Sequence, residues 1–202
     1  MAAVLNSTMN HFEFYNLPLA LSVDDSAVRR TYLLNSKKYH PDFHTLSGES
    51  DQAEMLELST RNNEAFKTLS DPDKRVRYVL EIKGLIGQEN ENTSLPQDFL
   101  MDMMDINEGL MELESHFDAG QYANTLQAVN NLESELEKSV SSILSSWTEA
   151  TGDEADLIKV REYFFKKRYL LRIKENLSKF ASFTSHSPLG RRLVNKPGRE
   201  LP

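Results

Sequence analysis

His40, Asp42 and His44 set two imidazoles and a carboxylate within five residues, with Glu49 and Asp51 close behind. Imidazole and carboxylate are both metal ligands and proton acceptors, so the set could hold a metal ion or do acid–base work. Histidines four apart share a ligand face only on a helix, however, and Pro41 interrupts any helix here, because its ring clashes with the preceding turn and it lacks an N–H. No HExxH-type pattern occurs anywhere in the chain. The reading is therefore neither a metal centre nor a catalytic pair. His40, pushed toward extended backbone by the proline that follows it, and Asp42 are instead displayed on a loop for contact with something else. His11, His116 and His186 read as ordinary surface or boundary histidines.

Two helices must hold that loop. Ser22 and Asp24 open a helical pattern that runs to Tyr39, with Val28, Tyr32, Asn35 and Tyr39 on one face and Arg29, Arg30, Lys37 and Lys38 largely off it. Beyond the loop, Met55, Leu58, Asn62, Ala65, Phe66 and Leu69 recur at helical spacing over about 49–69. Ser70-Asp71-Pro72 stops that helix and starts a shorter one through Val76, Val79, Leu80 and Ile82, which ends near Gly84 to Gly87. The polar stretch 88–95 reads as a linker, giving one domain over 9–87 and a second over 96–181.

The second domain carries three helical patterns, at roughly 96–117, 120–149 and 153–181. Phe99, Met103, Ile106, Leu110, Leu113 and Phe117 alternate spacings of four and three, a seam for packing on neighbouring helices. Leu126, Val129, Leu132, Leu136, Val140, Ile143 and Trp147 repeat the pattern, as do Tyr163, Leu170, Ile173, Leu177 and Phe180. Three such helices with short connections predict a small antiparallel bundle. Its first helix holds more apolar surface than one seam uses, since Leu100, Met101 and Met104 fall on another face beside Asp105, Glu108 and Glu112. Adaptable thioethers with a carboxylate rim suit protein docking; packing against a neighbouring helix is the alternative. Residues 182–202 turn to Ser, Pro, Gly, Arg and Lys and read as a disordered tail.

Composition narrows the function classes. The chain has 202 residues, 39% hydrophobic and 27% charged, with strand signals nearly absent, which predicts an all-α protein. Its apolar runs fall well short of the ~20 residues a bilayer core requires, and the N-terminus lacks a secretory pattern, so no membrane partner is expected. With no cysteine, disulfides, thiolate metal sites and thiol catalysis are excluded, in keeping with a cytoplasmic setting. A net charge of −8 argues against nucleic acid, whose binding depends on neutralised phosphates. Tyr163, Phe164 and Phe165 before Lys166, Lys167 and Arg168 resemble a base-stacking run, but on a helix they divide between core and solvent. Proteins are the expected partners.

The helix, His-Pro-Asp loop and helix resemble a J-domain, the module that stimulates ATP hydrolysis by DnaK-class chaperones. Joined to His11-Phe12-Glu13-Phe14-Tyr15-Asn16-Leu17-Pro18, Lys38-Tyr39-His40-Pro41-Asp42, Asn63-Glu64-Ala65-Phe66-Lys67-Thr68-Leu69, the run Arg75 to Gly84 and Phe99-Leu100-Met101-Asp102, it resembles the HscB co-chaperones of iron–sulfur cluster assembly over about residues 10–181. That resemblance implies an N-terminal J-domain and a C-terminal three-helix bundle set in an L shape, without cofactor, metal or catalytic activity of its own. It implies two partners: an HscA-like chaperone of the DnaK class, and an IscU-like scaffold protein. The chaperone would meet His40, Pro41, Asp42, Arg29, Arg30, Lys37 and Lys38. The scaffold would meet Leu100, Met101, Met104, Asp105, Glu108 and Glu112, with Phe165 on the last helix.

Some residues depart from the J-domain pattern. Leu33 and Leu34 occupy the middle of the helix before the tripeptide, where positive charge is common, and Phe43 follows Asp42 where lysine is frequent. Some members of that family carry a cysteine-rich N-terminal extension, which is not expected in this cysteine-free chain. A general J-protein whose bundle binds other clients is the competing reading, against which stand the lack of a Gly/Phe-rich linker and of a cysteine-rich zinc region.

Overall fold

The computed structural model describes residues 9–40, 42, 48–87 and 95–181; the linker 88–94, the tail 182–202, Pro41, Phe43 and His44 lie outside the described residues. Among the described residues seven helices follow in order: α1 (His11–Phe14), α2 (Asp25–Lys38), α3 (Glu49–Leu69), α4 (Pro72–Ile82), α5 (Gln97–Ser115), α6 (Ala119–Ser146) and α7 (Glu154–Ser178). The fold is all-α; among the described residues the only β pairing is an isolated bridge between Ala20 and Thr148.

Local chemistry sets the helix ends. Asn10 and Glu13 form a reciprocal capping box on α1. Asp24 caps α2 by accepting from the Ser26 N–H at 2.9 Å. Asp71 accepts from the N–H groups of Asp73 and Lys74, and Pro72 occupies the first turn of α4, where a missing N–H costs nothing. Gly84, at φ +68°, ends the chain's run through α4 in a conformation that a side chain would resist.

Two compact units result, residues 1–91 with 141–161 and residues 92–140 with 162–202. In the first, α3 packs against α1, α2 and α4 around Phe12, Val28, Ala65, Leu69, Val79 and Leu80, all essentially inaccessible. The turn between α6 and α7 belongs to this unit: Leu21 N–H donates to the Trp147 carbonyl at 3.3 Å, Glu149 N–H donates to the Leu19 carbonyl at 2.9 Å, and Lys83 pairs with Glu149. Trp147, a seam residue of α6, is thus buried beside Leu19–Leu21, its indole N–H donating to the Asp153 carbonyl.

Polar side chains tie the first unit together. Asn62 is buried on α3, accepting at 3.0 Å from the Tyr15 hydroxyl through both its Oδ1 and its main-chain oxygen. Its Nδ2 donates to the Tyr32 carbonyl at 3.1 Å and to Ser36 Oγ at 3.0 Å, so one amide joins α2 and α3 to the residue that ends α1. Arg75 is buried too, donating to the carbonyls of Leu21 and Leu69 with Asp25 at 3.9 Å. Buried polar groups persist where they find partners, and Asn62 and Arg75 both find theirs on distant parts of the chain.

The second unit closes on Phe99, Met103, Ile106, Leu110 and Leu113 of α5, Val129 of α6 and Leu170, Ile173 and Leu177 of α7. Gly109 brings α5 and α6 into close approach, since a Cβ there would lie 2.5 Å from Thr125 Oγ1 and 3.0 Å from Gln121 Nε2.

Candidate functional site

The first candidate surface is the solvent face of α2 and the residues after it. Tyr39 caps α2 and is buried, its ring 6.3 Å from that of Phe14, which in turn carries the Arg61 guanidinium 4.9 Å above it. Phe14 of α1 therefore packs beside the residue at which α2 ends, next to His40. His40 is exposed, and its Nδ1 accepts from the Asp42 N–H at 3.3 Å, with the Asp42 carboxylate 3.7 Å away. A ring that accepts at Nδ1 carries its proton, when neutral, on Nε2.

Arg29, Arg30, Lys37 and Lys38 are all exposed along the same helix. Arg30 is steadied by Ser26 Oγ at 3.0 Å and Asp24 at 3.7 Å, and Lys38 lies 5.1 Å from the centre of the Tyr39 ring. Hydrogen bonds from Ser26 hold the Asp24 carboxyl below its ordinary range. Among the described residues no three His, Cys, Asp or Glu side chains converge as metal ligands.

The second candidate surface lies on α5. The seam residues point into the core, and the helical period then puts Leu100 (45% exposed), Met101 (63%) and Met104 (67%) in solvent rather than against a neighbouring helix. Asp105, Glu108 and Glu112 are exposed on the following turns. Met111, 70% exposed, extends the strip and was not picked out from the sequence; its place seven residues after Met104, two helical turns on, was the available signal. Apolar area of this kind on a helix whose opposite face is full has the composition that suits contact with another protein, and the carboxylates beside it suit a basic one.

Phe165 differs from the strip. It is half-buried on α7, with its ring edge-on to Phe164 at 5.5 Å. The aromatic and basic run around it turns inward: Lys166 lies over Phe99, Lys167 over Tyr163 and Arg168 over Phe164, at 5.4–5.8 Å. Those cations each lie over one of the protein's own rings. No described helix is long and apolar enough to cross a membrane.

Comparison with known proteins gives concordant matches. A family model described as the HSCB C-terminal oligomerisation domain matches residues 95–178. A co-chaperone protein HscB homolog of Paraburkholderia phymatum is 31% identical over 160 residues, covering 79% of this chain and 89% of that protein. Another, from Ralstonia nicotianae, is 34% identical over 105 residues, covering 52% of this chain and 60% of that protein. The crystal structure of human co-chaperone protein HscB superposes with a TM-score of 0.64 at 24% identity, covering 85% of this chain and 81% of that one.

Proposed function

The chain belongs to the HscB family of co-chaperones, and from that premise we propose that it stimulates ATP hydrolysis by a DnaK/HscA-class chaperone and delivers to it an IscU-like iron–sulfur scaffold. Residues 9–87 face the chaperone through His40, Pro41, Asp42 and the cations of α2. Residues 96–181 hold the scaffold through Leu100, Met101, Met104, Asp105, Glu108 and Glu112, with Phe165 contributing from α7. The protein performs no catalysis itself and works in the cytoplasm.

The observation that carries this reading is the coexistence of two unlike surfaces: an exposed His40–Asp42 pair just after a basic helix, and an exposed Leu/Met strip with an acidic rim on another helix. The first acts by binding the hydrolysis-competent state of the chaperone more tightly than its alternative, which is the only way a non-catalytic partner can shift that equilibrium. The second raises the local concentration of the scaffold at the chaperone by tethering.

Single-turnover ATP hydrolysis by the DnaK-class chaperone of the same organism tests both halves. Stimulation should rise when an IscU-like scaffold is added, vanish in His40→Gln, and lose only its scaffold dependence in Leu100→Ala/Met104→Ala. Stimulation indifferent to scaffold would leave a general J-protein, and no stimulation at all would overturn the proposal.

A further inference from the structure

Leu33 and Leu34 are 56% and 71% exposed in the middle of α2. Both lie off the face of α2 that packs on α3, and neither belongs to the core. Helical spacing places Arg29, Leu33 and Lys37 in one row and Arg30, Leu34 and Lys38 in the next, so the leucines form an apolar centre with a pair of cations one turn away on each side. Lys37 and Lys38 lie three and two residues before His40. Any partner that contacts His40 and those lysines continues directly onto the leucines.

Resting on the co-chaperone reading above, we infer that Leu33 and Leu34 seat in an apolar recess, rimmed by carboxylates, on the ATPase chaperone, and that this pair restricts which chaperone the protein accepts. The charges argue for the rim, since four cations flanking a contact call for acidic groups around it. The centre argues for the recess, because an acidic group placed under two leucines would be stripped of water and left without a partner. Docking of this kind keeps its apolar part when salt screens the charges, so binding persists at salt concentrations where four cations alone would release the partner.

The test uses the full chain and the ATP-loaded DnaK-class chaperone of the same organism, with hydrolysis measured as the co-chaperone is titrated at low and high salt. Leu33→Lys/Leu34→Lys should raise the half-saturating concentration by roughly tenfold, as loss of a buried apolar anchor does, and leave the maximal rate unchanged. Simple charge attraction predicts the reverse, because two added cations would lower the half-saturating concentration, most strongly at low salt; that result overturns the inference. His40→Gln, run in parallel, should lose the maximal rate itself. If it does while the lysine variant binds as well as the parent, the leucine inference fails and the co-chaperone reading stands; if His40→Gln keeps full stimulation, the co-chaperone reading fails. Sedimentation adds one further outcome: a wild-type dimer that the lysine variant dissolves would assign the leucines to a second copy of this chain and overturn the proposal.

Discussion

Asn62→Ala should destabilise the unit that carries His40 by about 2–3 kcal/mol. The side chain makes three hydrogen bonds: Oδ1 accepts from Tyr15, and Nδ2 donates to the Tyr32 carbonyl and to Ser36 Oγ. At a net worth of roughly 1 kcal/mol each, their loss costs about 3 kcal/mol, and the small void left at a fully buried site adds to that. Alanine recovers up to about 0.7 kcal/mol through its better helix propensity. The Tyr15 hydroxyl is not orphaned, because the main-chain oxygen of Asn62 remains 3.0 Å away, and this keeps the loss below that of an unpaired buried phenol. Asn62→Asp, nearly the same shape, should cost more at neutral pH, since it sets a buried carboxylate against the Tyr32 carbonyl. Urea unfolding followed by tryptophan fluorescence reads this unit directly, because Trp147 is the chain's only tryptophan and lies in the same compact unit. A loss under about 0.5 kcal/mol, the size of an ordinary surface change, would refute the hub role.

Gly109→Ala should destabilise the helical domain by up to about 2 kcal/mol, as overpacking of about 1–3 kcal/mol against Thr125 is set against the roughly 1 kcal/mol that alanine gains in a helix. Thermal melts followed by circular dichroism measure it, and adding Thr125→Ala should recover much of the loss. His11 stacks on Tyr78 with centroids 4.6 Å apart and has a buried Nδ1 without a hydrogen-bond partner; burial is the chief cause of its lowered pKa. Its neutral form is favoured in the folded chain, so its contribution to stability is complete above about 6.5 and is lost as pH falls from there through the lowered value, the unfolded chain taking the proton first. Urea midpoints between pH 8 and pH 5 should show that decline, and His11→Phe should flatten it.

The helices were legible because their signals are local. Asp24, Asp71-Pro72 and the run of inward residues from Met55 to Leu69 are each decided within a few positions, and α3 spans Glu49–Leu69 as the periodicity implied. The division of α5 was legible for the same reason: a period of 3.6 separates Phe99, Met103, Ile106, Leu110 and Leu113 from Leu100, Met101 and Met104, and the two sets are buried and exposed respectively. The tripeptide is likewise read from its own three residues and the helix that stops before it.

What the sequence did not reveal depends on partners far along the chain. Asn62 sits on the inward face of its helical pattern, yet nothing near it says why an amide is tolerated there; its partners are 26 to 47 residues away. Arg75 reads locally as one more charge on a basic helix start, and only the carbonyl of Leu21, 54 residues earlier, makes its burial intelligible. Trp147 continues the α6 seam by spacing alone, while its backbone bonds to Leu21 place it in the unit built around α3. Local periodicity reports that a side chain turns inward, but not which interior receives it. For a polar side chain that difference decides the energetics, because an inward amide or guanidinium without its distant carbonyl would be a defect costing about 1–3 kcal/mol or more, whereas with it the same residue fixes where α1, α2 and α3 meet. The display of His40 and Asp42 therefore rests on residues whose roles are visible only once the chain has folded.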